Sequence, residues 1–111
     1  MLDELSSPIQ QQIERGISAL KRGGMVAFPT DTVYGLGAAT NLPEAIEKIY
    51  QVKQRLHKKA LPLLLGDLSQ IDDVAHHVSE TAWLLARAFL PGALTLVLPK
   101  ANSVSDIISG G

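Results

Sequence analysis

The order of its segments predicts an α/β fold, with one sheet covered by helices and its strands parallel or mixed. Three observations carry this. Ile9, Ile13, Ile17 and Leu20 recur at helical spacing near the start of the chain. Short apolar runs without that spacing follow at Met25–Phe28, Leu61–Leu65 and Leu94–Leu98. Each pair of runs is separated by stretches whose apolar residues again fall on one helical face.

The first helix is expected to open at Ser7-Pro8-Ile9-Gln10, with Ser7 as cap, Pro8 in the first turn and Gln10 completing a capping box. Arg15, Lys21 and Arg22 lie off the apolar stripe and read as solvated. Gly23-Gly24 ends this helix and leads into the Met25–Phe28 strand, which Pro29 stops by removing a donor. Asn41 and Glu44 bracket a second helix start, with Pro43 in its first turn and an apolar face of Ala45, Ile46, Ile49, Tyr50 and Val52. The Leu61–Leu65 strand follows, closed by Gly66-Asp67, and a short helix around Ile71, Val74 and Ala75 spans 68–78. His76 and His77 are adjacent and read as surface residues rather than a ligand pair. Ser79 caps a helix through Ala82, Leu85, Ala88 and Phe89, with Trp83 packed on the body of the domain. Pro91-Gly92 breaks it before the third strand, Leu94–Leu98, which Pro99 ends.

Composition bounds the function. At 111 residues and 46% apolar, the chain can form the core of one small domain. A formal net charge of −1 gives no global attraction to nucleic acid or to an anionic membrane. The absence of cysteine excludes disulfides, thiolate nucleophiles and cysteine zinc sites. No apolar run approaches a membrane span and the N-terminus lacks a signal-peptide pattern, so a soluble cytoplasmic domain without membrane contact is expected.

The chemistry concentrates in three places. Thr30, Asp31, Thr32 and Tyr34, followed by Gly35 and Gly37, stand at the end of the first strand, where hydroxyls and glycines bring small donors and backbone N–H groups to a ligand. Lys53 and Arg55 begin a basic stretch that continues through His57, Lys58 and Lys59. Pro91-Gly92-Ala93-Leu94-Thr95 is another turn feeding a strand, with a hydroxyl near its start. Cations and hydroxyls suit phosphate or carboxylate oxygens. No Ser–His pair, paired-carboxylate site or Walker loop is visible, so the chemistry expected is positioning and charge neutralisation, with no residue assigned a covalent catalytic role and no metal ligands.

These blocks resemble a known family. Gly23-Gly24, Val26-Ala27-Phe28-Pro29-Thr30-Asp31-Thr32-Val33-Tyr34-Gly35-Leu36-Gly37, Ile49-Tyr50-Gln51-Val52-Lys53-Gln54-Arg55, Leu61-Pro62-Leu63 and Pro91-Gly92-Ala93-Leu94-Thr95 are similar, in order, to the signature of the YrdC-type threonylcarbamoyl-AMP synthases. The resemblance implies a twisted, YrdC-like α/β domain with a concave basic cleft. It implies the conversion of L-threonine, bicarbonate and ATP to threonylcarbamoyl-AMP and pyrophosphate, for modification of a tRNA adenosine next to the anticodon. Carried over by position, Thr30 contacts threonine or its carbamoylated form, Lys53 and Arg55 hold carboxylate and phosphate oxygens, Thr95 lies near the nucleotide, and Tyr34 shapes the pocket. Mg²⁺ would accompany ATP, and tRNA or double-stranded RNA and tRNA-modification proteins are the partners implied.

The chain departs from the family pattern in places. Gln54 and Leu56 stand where the family usually has Gly and Pro, and Gly66 where some members have His. The family's later Arg-containing strand and Ser-Ala-Asn block have no counterpart, and Ala101-Asn102-Ser103 is in the wrong place and order to be that block. The expectation is a single domain over 1–111 that is incomplete at its C-terminus and, alone, a poor catalyst. Two other readings stay open: an RNA-binding module that uses the basic Lys53–Lys59 segment without catalysis, and a carbamoyl-adenylate domain of the hydrogenase-maturation kind.

Overall fold

A computed structural model describes residues 6–110. The chain divides into two compact units, Met1–Leu56 and His57–Gly111.

In the first unit, helix α1 (Ser7–Lys21) leads to strand β1 (Val26–Phe28), strand β2 (Gly35–Gly37) and helix α2 (Pro43–Lys53). The N-cap of α1 is Ser6, one residue before the expected Ser7, and its side chain makes no cap bond. Pro8 accounts for part of this, because it supplies no N–H at the second helical position for a cap to satisfy. Ile9 and Ile17 on the apolar stripe are 47% and 42% exposed, and no residue of α1 is buried. After Arg22, Gly23 takes a left-handed φ of 84°, which turns the chain into β1.

β1 ends at Phe28, before Pro29 as expected. It pairs antiparallel with β2, with Val26 opposite Gly37, Ala27 opposite Leu36 and Phe28 opposite Gly35. The α/β class holds, and the ladder among the described residues is this two-stranded antiparallel hairpin. Its second strand, Gly35–Gly37, falls where the sequence predicts a loop, because two glycines carry no strand signal.

Leu42, and not Asn41, is the N-cap of α2, again without a side-chain cap bond. Asn41 lies instead in the turn that the Leu42 N–H closes onto the Ala39 carbonyl at 3.2 Å. Ala45, Ile46, Ile49 and Tyr50 are buried as the pattern predicts, whereas Val52 is 60% exposed. Lys48 Nζ donates to the Gly23 carbonyl at 3.0 Å and ties α2 to the turn after α1.

In the second unit, a 3-10 turn over Leu68–Gln70 runs into α3 (Ile71–Val74), followed by α4 (Glu80–Phe89) and α5 (Asp106–Ser109). The expected helix over 68–78 is shorter because Ala75 turns extended, with φ −130° and ψ 155°. It forms an isolated antiparallel bridge with Lys100. The His76 N–H donates to the Pro99 carbonyl at 3.0 Å, and the Ala101 N–H to the Val74 carbonyl at 2.8 Å. Ser79 caps α4 as predicted, its Oγ accepting from the Ala82 N–H at 3.1 Å. Asp67 and Gln70 form a capping box where the sequence suggests only the close of a strand. Trp83 packs, with Leu68, Val78, Leu90, Leu96 and Leu98, on a core of Ile71, Ala75 and Ala86.

Leu61–Leu65 and Leu94–Leu98 are not strands in this structure. Over 94–98 burial still alternates: Leu94, Leu96 and Leu98 are half-buried while Thr95 and Val97 are exposed. The side chains thus follow strand periodicity, but no ladder partner lies beside them among the described residues. Strand identity is a property of a pair, and an apolar run specifies only one member. His76 and His77 are exposed as expected, though off any helix, with ring centroids 4.6 Å apart. Among the described residues no helix is long and apolar enough to cross a membrane.

Candidate substrate-binding site

The connection between β1 and β2, residues 29–34, is organised by Thr30. Its Oγ1 donates to the Val33 carbonyl and accepts from the Thr32 N–H at 3.2 Å. The Thr32 hydroxyl lies 3.4 Å from the Thr30 hydroxyl. One side chain therefore closes the turn at both ends, a local hydroxyl-to-backbone arrangement that competes well with regular structure. The turn is exposed, with Val33 and Tyr34 at 73% and 76%. Asp31 and Thr32 are exposed as well.

Gly35 and Gly37 have a local reason to be glycine. A Cβ at Gly35 would stand 2.7 Å from the Phe28 ring, and one at Gly37 would stand 3.1 Å from it. The ring of Phe28 thus occupies the space that a side chain at either glycine would need.

The two cations flank the end of α2. Lys53 is its last residue and is exposed. Gln54 follows in the left-handed region, with φ 51° and ψ 40°. The Arg55 N–H then donates back to the Tyr50 carbonyl at 2.9 Å, and the Gln54 N–H to the Gln51 carbonyl at 3.2 Å. This is the closing pattern of a helix C-terminus, in which backbone bonds satisfy the last carbonyls. Tyr50, only 1% exposed, anchors the turn from which Arg55 projects. Arg55 is half-buried.

Thr30, Tyr34, Lys53 and Arg55 all belong to the first unit, and Thr95 belongs to the second. Thr95 is exposed on the extended run that follows Gly92. Its approach is set by the Leu94 N–H, which donates to the Gly92 carbonyl at 2.8 Å. A side chain at Gly92 would collide with the Phe89 carbonyl, which explains the glycine. Sequence reasoning missed Lys48, whose bond to Gly23 leaves no trace in a periodicity pattern. Among the described residues there is no group of three or more His, Cys, Asp or Glu able to hold a metal ion.

The profile of the Sua5/YciO/YrdC family, described as "Telomere recombination", matches residues 18–111. The chain belongs to this family. Among curated relatives in the Sua5/YciO/YrdC family, the threonylcarbamoyl-AMP synthase of Bacillus subtilis is 41% identical over 110 residues, 98% of this chain and 32% of its own length. That of Pyrococcus abyssi is 41% identical over 92 residues, 83% of this chain and 27% of its own length. The crystal structure of Pyrococcus abyssi Sua5 complexed with L-threonine superposes with a TM-score of 0.86 at 38% identity, covering 97% of this chain and 31% of that one. Escherichia coli YciO superposes with a TM-score of 0.77 at 26% identity, covering 88% and 47%. The chain thus spans about a third of the length of the first two synthases.

Proposed function

We propose that this chain is the threonine-binding part of a threonylcarbamoyl-AMP synthase, which uses L-threonine, bicarbonate and ATP. The observation that carries this reading is the superposition, with a TM-score of 0.86, on a Sua5 complexed with L-threonine. The exposed hydroxyl turn and the two cations at the end of α2 support it, because they supply the groups such a reaction requires.

In the reaction, the threonine amine adds to the carbon of bicarbonate with loss of water, giving a carbamate. A carbamate oxygen then bonds to the α-phosphorus of ATP as the bond to the β-phosphate oxygen breaks, and pyrophosphate leaves. The carboxylated amino acid carries two negative charges and must approach a triphosphate. Lys53 and Arg55 offset that repulsion, Arg55 with a planar fork matched to carboxylate or phosphate oxygens. Thr30 presents its hydroxyl to the amino acid, Tyr34 walls the pocket, and Thr95 meets the nucleotide. No side chain needs to form a covalent bond, so catalysis comes from positioning and charge neutralisation. The described residues offer no cage for Mg²⁺, which is left to the phosphates of the nucleotide. A cytoplasmic protein that delivers its product to tRNA, in company with tRNA-modification proteins, completes the reading.

The test is L-threonine- and bicarbonate-dependent release of pyrophosphate from ATP by the full reading frame that contains these residues, together with calorimetric titration of this chain with L-threonine. Pyrophosphate release that ignores threonine, or the absence of any threonine binding, rejects the proposal. Binding of duplex RNA that weakens steeply with salt, without threonine-dependent chemistry, would favour the RNA-binding reading of Lys53–Lys59.

A further inference from the structure

The outer face of α4 carries a charge pattern that is complementary to itself. Glu80, Trp83, Leu84 and Arg87 line one open depression of about 350 Å³. Their spacing of three, four and seven residues places them on a single helical face. Leu84 is 64% exposed. Trp83 rests on the Ile71, Ala75 and Ala86 core, and the Arg87 guanidinium carbon lies 5.4 Å from the centre of its ring. Glu80 occupies the first turn of the helix and Arg87 the last, each matched in sign to its end of the helix dipole. The face therefore reads acid, tryptophan and leucine, base along its length.

The geometry points to a second copy of this chain as the occupant of this face, seated through α4 in antiparallel orientation. About a two-fold axis between Trp83 and Leu84, each Glu80 meets Arg87 of the other copy, and each Trp83 meets Leu84 of the other copy. A parallel arrangement would instead set Glu80 against Glu80 and Arg87 against Arg87. The antiparallel one also opposes the two helix dipoles and makes the contact isologous, so it closes at a dimer. Tryptophan at the centre of a patch is among the side chains that most often dominate association energies. The ion pairs at the rim set orientation more than strength.

The experiment is sedimentation equilibrium of the chain, of Glu80→Arg, of Arg87→Glu, and of the variant carrying both. Both positions are exposed, and circular dichroism checks that helix content is retained. The unaltered chain should form a dimer. Each single reversal replaces two attractions with two repulsions and should weaken it about tenfold or more. The double variant, and an equimolar mixture of the two single variants, should recover the dimer. Trp83 is the only tryptophan, so its emission should shift with concentration in the chain that dimerises and not in the single variants. A chain that stays monomeric overturns the inference. So does self-association that charge reversal leaves unchanged, or a mixture of single variants that fails to pair.

Discussion

The ring of Phe28 lies over Gly35, its partner across the β1–β2 hairpin, so closely that a Cβ on Gly35 would stand 2.7 Å from two ring carbons. The residue before the proposed site and the residue after it are thus packed on one another, and the Thr30 turn is held between them.

Gly35→Ala should therefore destabilise the first unit by about 1–2 kcal/mol, because the ring must leave its place to admit a methyl group. The cost should largely vanish when Phe28 is already Ala, since the colliding group is then absent. Denaturant unfolding of the two single variants and the double variant measures this coupling. Additive losses would show that Phe28 is not what excludes a side chain at Gly35.

Gln54 carries the left-handed penalty that glycine escapes. With φ at 51°, Gln54→Gly should stabilise the chain by about 0.5–1 kcal/mol, through relief of strain at the end of α2. The same change loosens the unfolded chain, so the gain is smaller than the full strain. A higher denaturant midpoint with an unchanged slope is the expected outcome.

If Lys53 and Arg55 hold anionic oxygens, Lys53→Ala and Arg55→Ala should each weaken ATP binding by about 1.5–3 kcal/mol. Lys58→Ala, in the same basic run, should cost ~0–1 kcal/mol, as expected for a surface charge. Calorimetric titration with ATP separates these outcomes. Equal losses at all three positions would point to a diffuse basic patch.

The Ser69 hydroxyl, followed by the Ser69 N–H at 3.0 Å, donates to the Asp67 carboxylate and holds its pKa below the usual range. A carboxylate with a depressed folded pKa adds stability above its unfolded pKa and loses it as pH falls through the folded value. The chain should therefore exceed Ser69→Ala in stability near neutrality, and the difference should shrink below about pH 4. Midpoints of urea unfolding across that range check the sign. A difference that grows on acidification would show that Asp67 is not the group Ser69 serves.

Much of this protein was legible from local sequence. The helical spacing of Ala45, Ile46, Ile49 and Tyr50 located α2 and its buried face, because a helix closes its hydrogen bonds within one segment. Ser79 and Pro91 bounded α4 for the same local reason. The hydroxyl turn, the paired cations and the order of the blocks pointed to the family on their own. Pairing was decided only in three dimensions. Gly35–Gly37 became a strand because Val26–Phe28 lay beside it, and Leu94–Leu98 did not become one, although its side chains alternate like a strand's. A strand needs the N–H and C=O groups of a neighbour, and which segment supplies them is not written in the segment itself. The left-handed turn at Gln54 and the Phe28 ring over Gly35 are of the same kind, set by what the surrounding chain requires at one point in space.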